Sequence, residues 1–81
     1  MPYSMENLKK WMIYGCYGYT GRLFAKEAQK CGHMPVLAGR NHFKTKRMAE
    51  EFGFEYRVFD LNDSGKTAAA LDGIDLVYHI A

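Results

Sequence analysis

Apolar residues in this chain form three short continuous runs and one alternating segment, each about the length of a β-strand. Continuous runs are typical of strands that are buried on both faces of a parallel sheet. The alternating segment is rich in aromatic and β-branched residues, which favour strands. The predicted strands are residues 11–14, 35–39, 55–59 and 74–81.

The segments between these strands carry apolar residues at helical spacing, so each is predicted to be a helix. The predicted helices are residues 19–31, 42–52 and 66–71. The side chains predicted to face inward are Phe24, Ala28 and Cys31 in the first helix and Met48 and Phe52 in the second. Thr45 continues the second inward face poorly. Asn41 is suited to cap the start of the second helix, and Gly53 is suited to end it.

Strands and helices alternate throughout, which predicts the α/β fold class with a parallel sheet. Right-handed crossovers between sequential strands give the strand order 3-2-1-4. We therefore expect half of a Rossmann fold, a four-stranded parallel sheet with three helices. Residues 1–9 are predicted to be a flexible lead-in, and residues 10–81 the N-terminal part of a dinucleotide-binding domain.

A glycine-rich turn joins the first predicted strand to the first predicted helix. Gly15, Gly18 and Gly21 are evenly spaced, which permits a tight turn and leaves no Cβ where a pyrophosphate approaches the backbone. Tyr19 and Thr20 are expected to donate their backbone N–H groups to the pyrophosphate, and Thr20 also its hydroxyl. Glycines also occur in tight turns that bind nothing. The strand before this turn and the helix after it favour dinucleotide binding.

The residues after the second predicted strand indicate which dinucleotide binds. An NAD site has a carboxylate there for the ribose 2′-hydroxyl, whereas this chain has Arg40 and Asn41. The arginine can pair with a 2′-phosphate and lie on the adenine, and the asparagine can donate to the same phosphate. The sequence therefore favours NADP over NAD. The alternative for Arg40 is a solvated surface charge.

Further candidate residues lie in or near the other predicted turns. Asp60 is expected to accept from the adenine amino group, or else to be only a turn residue, and the Leu61 N–H is expected to meet a ring nitrogen. Tyr17 would either shield the phosphate or be a surface aromatic residue. His79 lies in an apolar strand, where a histidine is more often packed in the core than catalytic. Cys16 is expected to be a small residue that fills the tight turn. Neither His79 nor Cys16 is assigned a reaction.

Composition argues against several other functions. The chain has 81 residues and a net charge of +2, which is too mild for a nucleic-acid-binding domain. A basic stretch over residues 42–47 would attract an anionic cofactor or simply face water, and it lacks an aromatic platform for bases. No apolar run reaches the ~20 residues that span a bilayer. We expect a cytoplasmic protein with no membrane, nucleic-acid or metal partner.

Three segments carry a family resemblance, and they are residues 11–22, 35–41 and 56–61. The whole match spans about residues 10–81. They resemble the N-terminal cofactor domain of the saccharopine dehydrogenase-like family, including its trans-acting enoyl reductase relatives. The resemblance implies that the glycine-rich turn holds the pyrophosphate of NAD(P) and that Arg40 and Asn41 meet its adenosine end. Family members commonly have alanine at the position of Cys16, threonine at Tyr17 and leucine at Thr45.

Members of that family are NAD(P)-dependent oxidoreductases, so the chain is predicted to be the NADP-binding N-terminal fragment of one. In the family, the parts that hold the substrate follow the fourth strand, so no catalytic residue can be named here and the fragment is expected to be inactive alone. Two alternatives are a non-catalytic NADP sensor and a fragment of an extended short-chain dehydrogenase or epimerase.

The fourth strand is expected to have an unpaired edge, which predicts a homo-oligomer formed through it.

Overall fold

A computed structural model describes residues 10–15 and 17–80. Its elements are, in chain order, β1 (Trp11–Tyr14), α1 (Tyr19–Lys30), β2 (Val36–Gly39), α2 (His42–Phe52), β3 (Tyr56–Val58), α3 (Ser64–Ala70) and β4 (Leu76–His79). The strands form one parallel sheet in the order β3-β2-β1-β4. The predicted α/β half Rossmann fold is therefore confirmed. The predicted lead-in over residues 1–9, and the positions Cys16 and Ala81, lie outside the described residues.

The central strands β1 and β2 are buried along their whole length. On one face of the sheet, α1 and α2 cover the side chains of Trp11, Ile13 and Leu37. On the other face, Met12 and Val36 pack in a second cluster that the end of α3 adjoins. Successive side chains of a strand point to opposite faces, so each continuous apolar run supplies both layers of the core.

The inward face of α1 agrees with the prediction at Phe24 and Ala28, which lie in or against the core, and differs from it at Cys31. Its buried residues are Gly21, Ala25 and Ala28. Phe24 is only half-buried and packs against the rings of Trp11 and Tyr78. Cys31 is exposed, because the helix ends at the preceding residue. Small residues about one helical turn apart let the α1 backbone approach the sheet, and the prediction gave too much weight to side-chain size.

Helix α2 has the predicted ends and an unexpected core residue. The Asn41 side-chain oxygen accepts a hydrogen bond from the Lys44 N–H at 2.9 Å, and Gly53 ends the helix in a left-handed conformation with φ of +73°. Thr45 was predicted to fit the inward face poorly, yet it is fully buried. Its β-branched side chain is as compact as that of valine. A pattern based on apolar residues alone does not identify a threonine as a core residue.

Helix α3 begins at Ser64, before the predicted start at Lys66. The Asp63 side chain caps it by accepting a hydrogen bond from the Lys66 N–H at 3.0 Å. At its other end, the Arg57 guanidinium donates to the carbonyl oxygens of Ala70 at 2.7 Å and Asp72 at 2.9 Å. These bonds tie β3 to the end of α3.

Strand β4 lies at an edge of the sheet, with β1 as its only strand neighbour among the described residues. Leu76 and Tyr78 are each 38% exposed on the α1 side. The Tyr78 ring packs against Trp11 and Phe24, with centroid distances of 5.7 Å and 4.8 Å. An aromatic cluster therefore docks β4, while part of its apolar surface stays open to solvent.

Candidate functional site

A crevice of about 470 Å³ opens where the strands end at their carboxyl termini. It is lined by Tyr14, Gly15, Tyr17, Gly18, Arg40, Asp60, Leu61, Asn62, His79 and Ile80. It lies where β1 is flanked by β2 on one side and β4 on the other, which is the switch point at which open α/β sheets bind ligands. Five predicted site residues line it: Gly15, Gly18, Arg40, Asp60 and Leu61.

Gly15 lies against Ile80, the residue that follows strand β4. Its φ is +86°, and a Cβ added there would lie 1.9 Å from the Ile80 carbonyl oxygen. Its N–H donates to the Ala38 carbonyl at 2.8 Å, and the Ile80 N–H donates to the Tyr14 carbonyl at 2.8 Å. Only glycine combines this φ with this closeness. The residue is therefore required by the protein itself, in addition to its predicted role beside a pyrophosphate.

Gly18 has no such internal requirement. Its φ is −80° in extended backbone. Among the described residues, the nearest atom to an added Cβ is the Gly15 carbonyl oxygen, 4.0 Å away. Gly18 is the N-cap of α1 but supplies no side-chain cap, and the first turn of α1 holds no acidic residue. Because the first N–H groups of a helix have no intrahelical partners, this end of α1 is suited to an anion.

Four predicted site residues do not line the crevice: Tyr19, Thr20, Gly21 and Asn41. Tyr19 is 80% exposed, and Thr20 lines a separate apolar groove of about 660 Å³ along α1. Gly21 is buried in the first turn of α1. Asn41 is exposed next to Arg40, and its side-chain oxygen caps α2. Its contact with a phosphate stays a prediction.

The loop after β3 forms the floor of the crevice. Asp60 is half-buried, and its side chain accepts a hydrogen bond from the Asn62 N–H at 2.9 Å, so it is a turn residue as well as a lining residue. The Tyr14 hydroxyl donates to the Phe59 carbonyl at 2.9 Å. Burial raises the pKa of the Tyr14 phenol above its ordinary value. The strand-end tyrosine thus fixes the loop that carries Asp60.

The prediction missed or misplaced four lining residues, which are Tyr14, Asn62, His79 and Ile80. Tyr14 was treated only as part of a strand. His79 was expected to pack in the core, but it is exposed and lines the crevice, with its ring edge-on to Tyr14 at 5.4 Å. It is the last residue of an edge strand. Its position at the carboxyl end of a strand was the signal that could have placed it.

Within residues 10–15 and 17–80, no group of three or more His, Cys, Asp or Glu side chains could hold a metal ion. The helices of that same part of the chain are all too short or too polar to cross a membrane.

Comparisons with known proteins agree with this architecture. No protein-family model matches the sequence, and no curated protein matches it significantly. A crystal structure described as a short-chain oxidoreductase from Thermus thermophilus is 30% identical, with a TM-score of 0.74 over 86% of this chain and 35% of that one. UDP-glucose-4-epimerase from Stenotrophomonas maltophila, solved with bound NAD and formylated UDP-arabinopyranose, is 25% identical, with a TM-score of 0.68 over 89% of this chain and 24% of that one.

This chain therefore spans about a third and a quarter of the lengths of the two solved proteins. Both are Rossmann-type enzymes, and their similarity extends over most of this chain. Neither solved protein is described as a saccharopine dehydrogenase, so the resemblance to that family stays a prediction. The chain is a Rossmann-type α/β unit similar to parts of an oxidoreductase and an epimerase.

Proposed function

We propose that this chain is the NADP-binding part of an oxidoreductase. The crevice at the switch point carries the proposal, because it brings the glycine-rich turn together with Arg40 and Asp60, which come from three different loops. Gly18 supports a phosphate ligand, since nothing in the described protein requires glycine at that position. A ligand that approaches the backbone closely would require it.

The preference for NADP rests on charge at the end of β2. Arg40 lines the crevice where NAD-binding sites place a carboxylate, and the first turn of α2 holds no acidic residue. A guanidinium can pair with both oxygens of a phosphate and also lie on a base. Among the described residues, the end of β2 itself carries no carboxylate that could accept from the 2′-hydroxyl of NAD.

Two kinds of parent enzyme are compatible with this cofactor site. The segments over residues 35–41 and 56–61 support the saccharopine dehydrogenase-like family. The 30% identity with the Thermus short-chain oxidoreductase favours a short-chain dehydrogenase as the second candidate. Sequencing the transcript through its 3′ end separates the two, because a catalytic tyrosine and lysine pair encoded downstream would favour the short-chain enzyme.

Calorimetric titration tests the cofactor site directly. The chain is expected to bind NADP more tightly than NAD, and 2′,5′-ADP more tightly than 5′-AMP. Gly18→Ala is expected to weaken the binding of NADP and NAD by about tenfold or more, because its methyl group enters the space assigned to their pyrophosphate.

Gly65→Ala is the matched control, since a Cβ there would make only an ordinary 3.7 Å contact with Asp63. Binding of none of the four nucleotides would contradict the proposed function. Equal affinity for NADP and NAD would contradict the cofactor preference alone.

We further propose that the chain self-associates through the edge of β4. The support is an edge strand whose Leu76 and Tyr78 are each 38% exposed, because such edges pair readily with other strands. Sedimentation at micromolar concentration is expected to show dimers or larger assemblies, and Leu76→Lys to shift them towards monomer. Phe43→Lys is the control, as Phe43 is 71% exposed on α2, which packs on β2 and β3. A wild-type monomer would contradict the proposal.

A further inference from the structure

The ring of Tyr17 lies directly on the last residue of β2. A Cβ added to Gly39 would be 2.5 Å from Tyr17 Cε1 and 2.8 Å from Thr45 Oγ1. Both side chains therefore occupy the space that a side chain at position 39 would need. The Tyr17 ring and the Thr45 hydroxyl can pack there only because residue 39 is glycine.

The Thr45 hydroxyl is buried and makes no hydrogen bond with the described residues. The Thr45 side chain is fully buried. A buried hydroxyl without a partner is costly, and native proteins rarely keep one without a reason. Valine would fill the same volume without that cost. The hydroxyl is explained if it acquires a partner in another state of the protein.

A cationic side chain lies over the same ring. Lys44 Nζ is 5.7 Å from the centroid of the Tyr17 ring, a weak cation–π contact at an exposed position. None of the ion pairs among the described residues involves Lys44. Lys44 also belongs to the first turn of α2, which holds no acidic residue and carries the positive end of the helix dipole.

Tyr17 separates two spaces. It lines the nucleotide crevice together with Arg40, and it also lines a smaller cavity of about 190 Å³ between α1 and α2 that Lys44 shares. Arg22 and Glu51 form an ion pair in that cavity, whereas the ammonium of Lys44 lies over the ring itself. The Tyr17 ring therefore lies between the two spaces, with the Lys44 ammonium over it and the Thr45 hydroxyl near it.

We propose that Tyr17 is a movable cover over a phosphate subsite formed by the Lys44 ammonium and the Thr45 hydroxyl. This inference rests on the proposed function and assigns to the subsite the phosphomonoester on the adenosine ribose of NADP. When that phosphate enters, the ring leaves Gly39, Thr45 donates its hydroxyl to a phosphate oxygen, and Lys44 exchanges the ring for the anion. Displacing an exposed cation–π contact costs little, whereas a hydrogen bond to a charged phosphate is strong.

The test is titration with 2′,5′-ADP and 5′-AMP, which differ only in the ribose phosphate. Thr45→Val is expected to weaken 2′,5′-ADP binding by about tenfold and to leave 5′-AMP binding unchanged. Lys44→Met, which keeps the length of the side chain, is expected to have a similar selective effect. Lys46→Met is the matched control, because Lys46 is on the same helix but does not line either space.

Movement of the ring gives a second readout that a purely structural role would not produce. Tyr17 lies against Gly39, so the NMR signals of the Gly39 α-protons should shift on addition of 2′,5′-ADP and not of 5′-AMP. If wild-type protein prefers 2′,5′-ADP but Thr45→Val and Lys44→Met keep that preference, the subsite is wrong and the proposed function stands. If wild-type protein binds neither nucleotide, the proposed function itself fails.

Discussion

Replacement of Gly15 by alanine is expected to lower the free energy of unfolding by at least about 2 kcal/mol, because the new methyl group meets the backbone of Ile80, just after strand β4. Its Cβ would lie 1.9 Å from the Ile80 carbonyl oxygen, and the φ of +86° is unfavourable for any residue with a side chain. The turn and the end of β4 would both have to shift. Urea unfolding followed by circular dichroism measures the effect.

Gly18→Ala is the control for this experiment. It makes the same chemical change in the same turn, but φ is −80° and no atom of the described residues lies closer than 4.0 Å to the added Cβ. Its stability should fall by no more than about 1 kcal/mol, because alanine is a poorer N-cap than glycine. Equal stability of the Gly15 and Gly18 variants would show that the contact with Ile80 is not maintained in solution.

Replacement of Arg40 by alanine is expected to remove most of the preference for NADP over NAD. Arg40 is exposed and lines the crevice at the end of β2, so its loss should have little effect on folding. A charge-assisted bond between a guanidinium and a phosphate contributes roughly ten- to a hundredfold in affinity. Calorimetry with NADP and NAD measures the change in the ratio of the two dissociation constants.

Arg40→Lys sharpens the interpretation. Lysine keeps the charge but cannot make the planar, two-pronged contact, so an intermediate preference is expected. An unchanged ratio of the two affinities in Arg40→Ala would mean that Arg40 is a solvated charge, which is the other interpretation of its place in the sequence.

Most of the fold could be predicted from the chain because local signals agree with it. Apolar runs of strand length, a capping asparagine at Asn41 and a glycine at Gly53 each mark an element or its boundary. The errors occur where burial depends on neighbours that are distant in sequence. Cys31 is exposed because α1 ends before it, and Thr45 is buried because α2 presses it against Gly39.

The candidate site was predictable only in part, for the same reason. The glycine spacing and Arg40 are read directly from the sequence, since each has a fixed place relative to a predicted strand. The contact of Gly15 with Ile80 joins residues at opposite ends of the chain, and the meeting of Tyr17 with Thr45 depends on how α1 and α2 pack. No periodicity encodes such contacts, so they appear only in three dimensions.

The docking of β4 against an aromatic cluster gives the molecule its own optical reporter. The chain has a single tryptophan, and Trp11 is 6% exposed with the Tyr78 ring edge-on at 5.7 Å. Detachment of β4 would bring water to the indole and move its emission to longer wavelength, even while the helices stay folded. Tryptophan fluorescence therefore follows the attachment of the last strand separately from the melting of the rest.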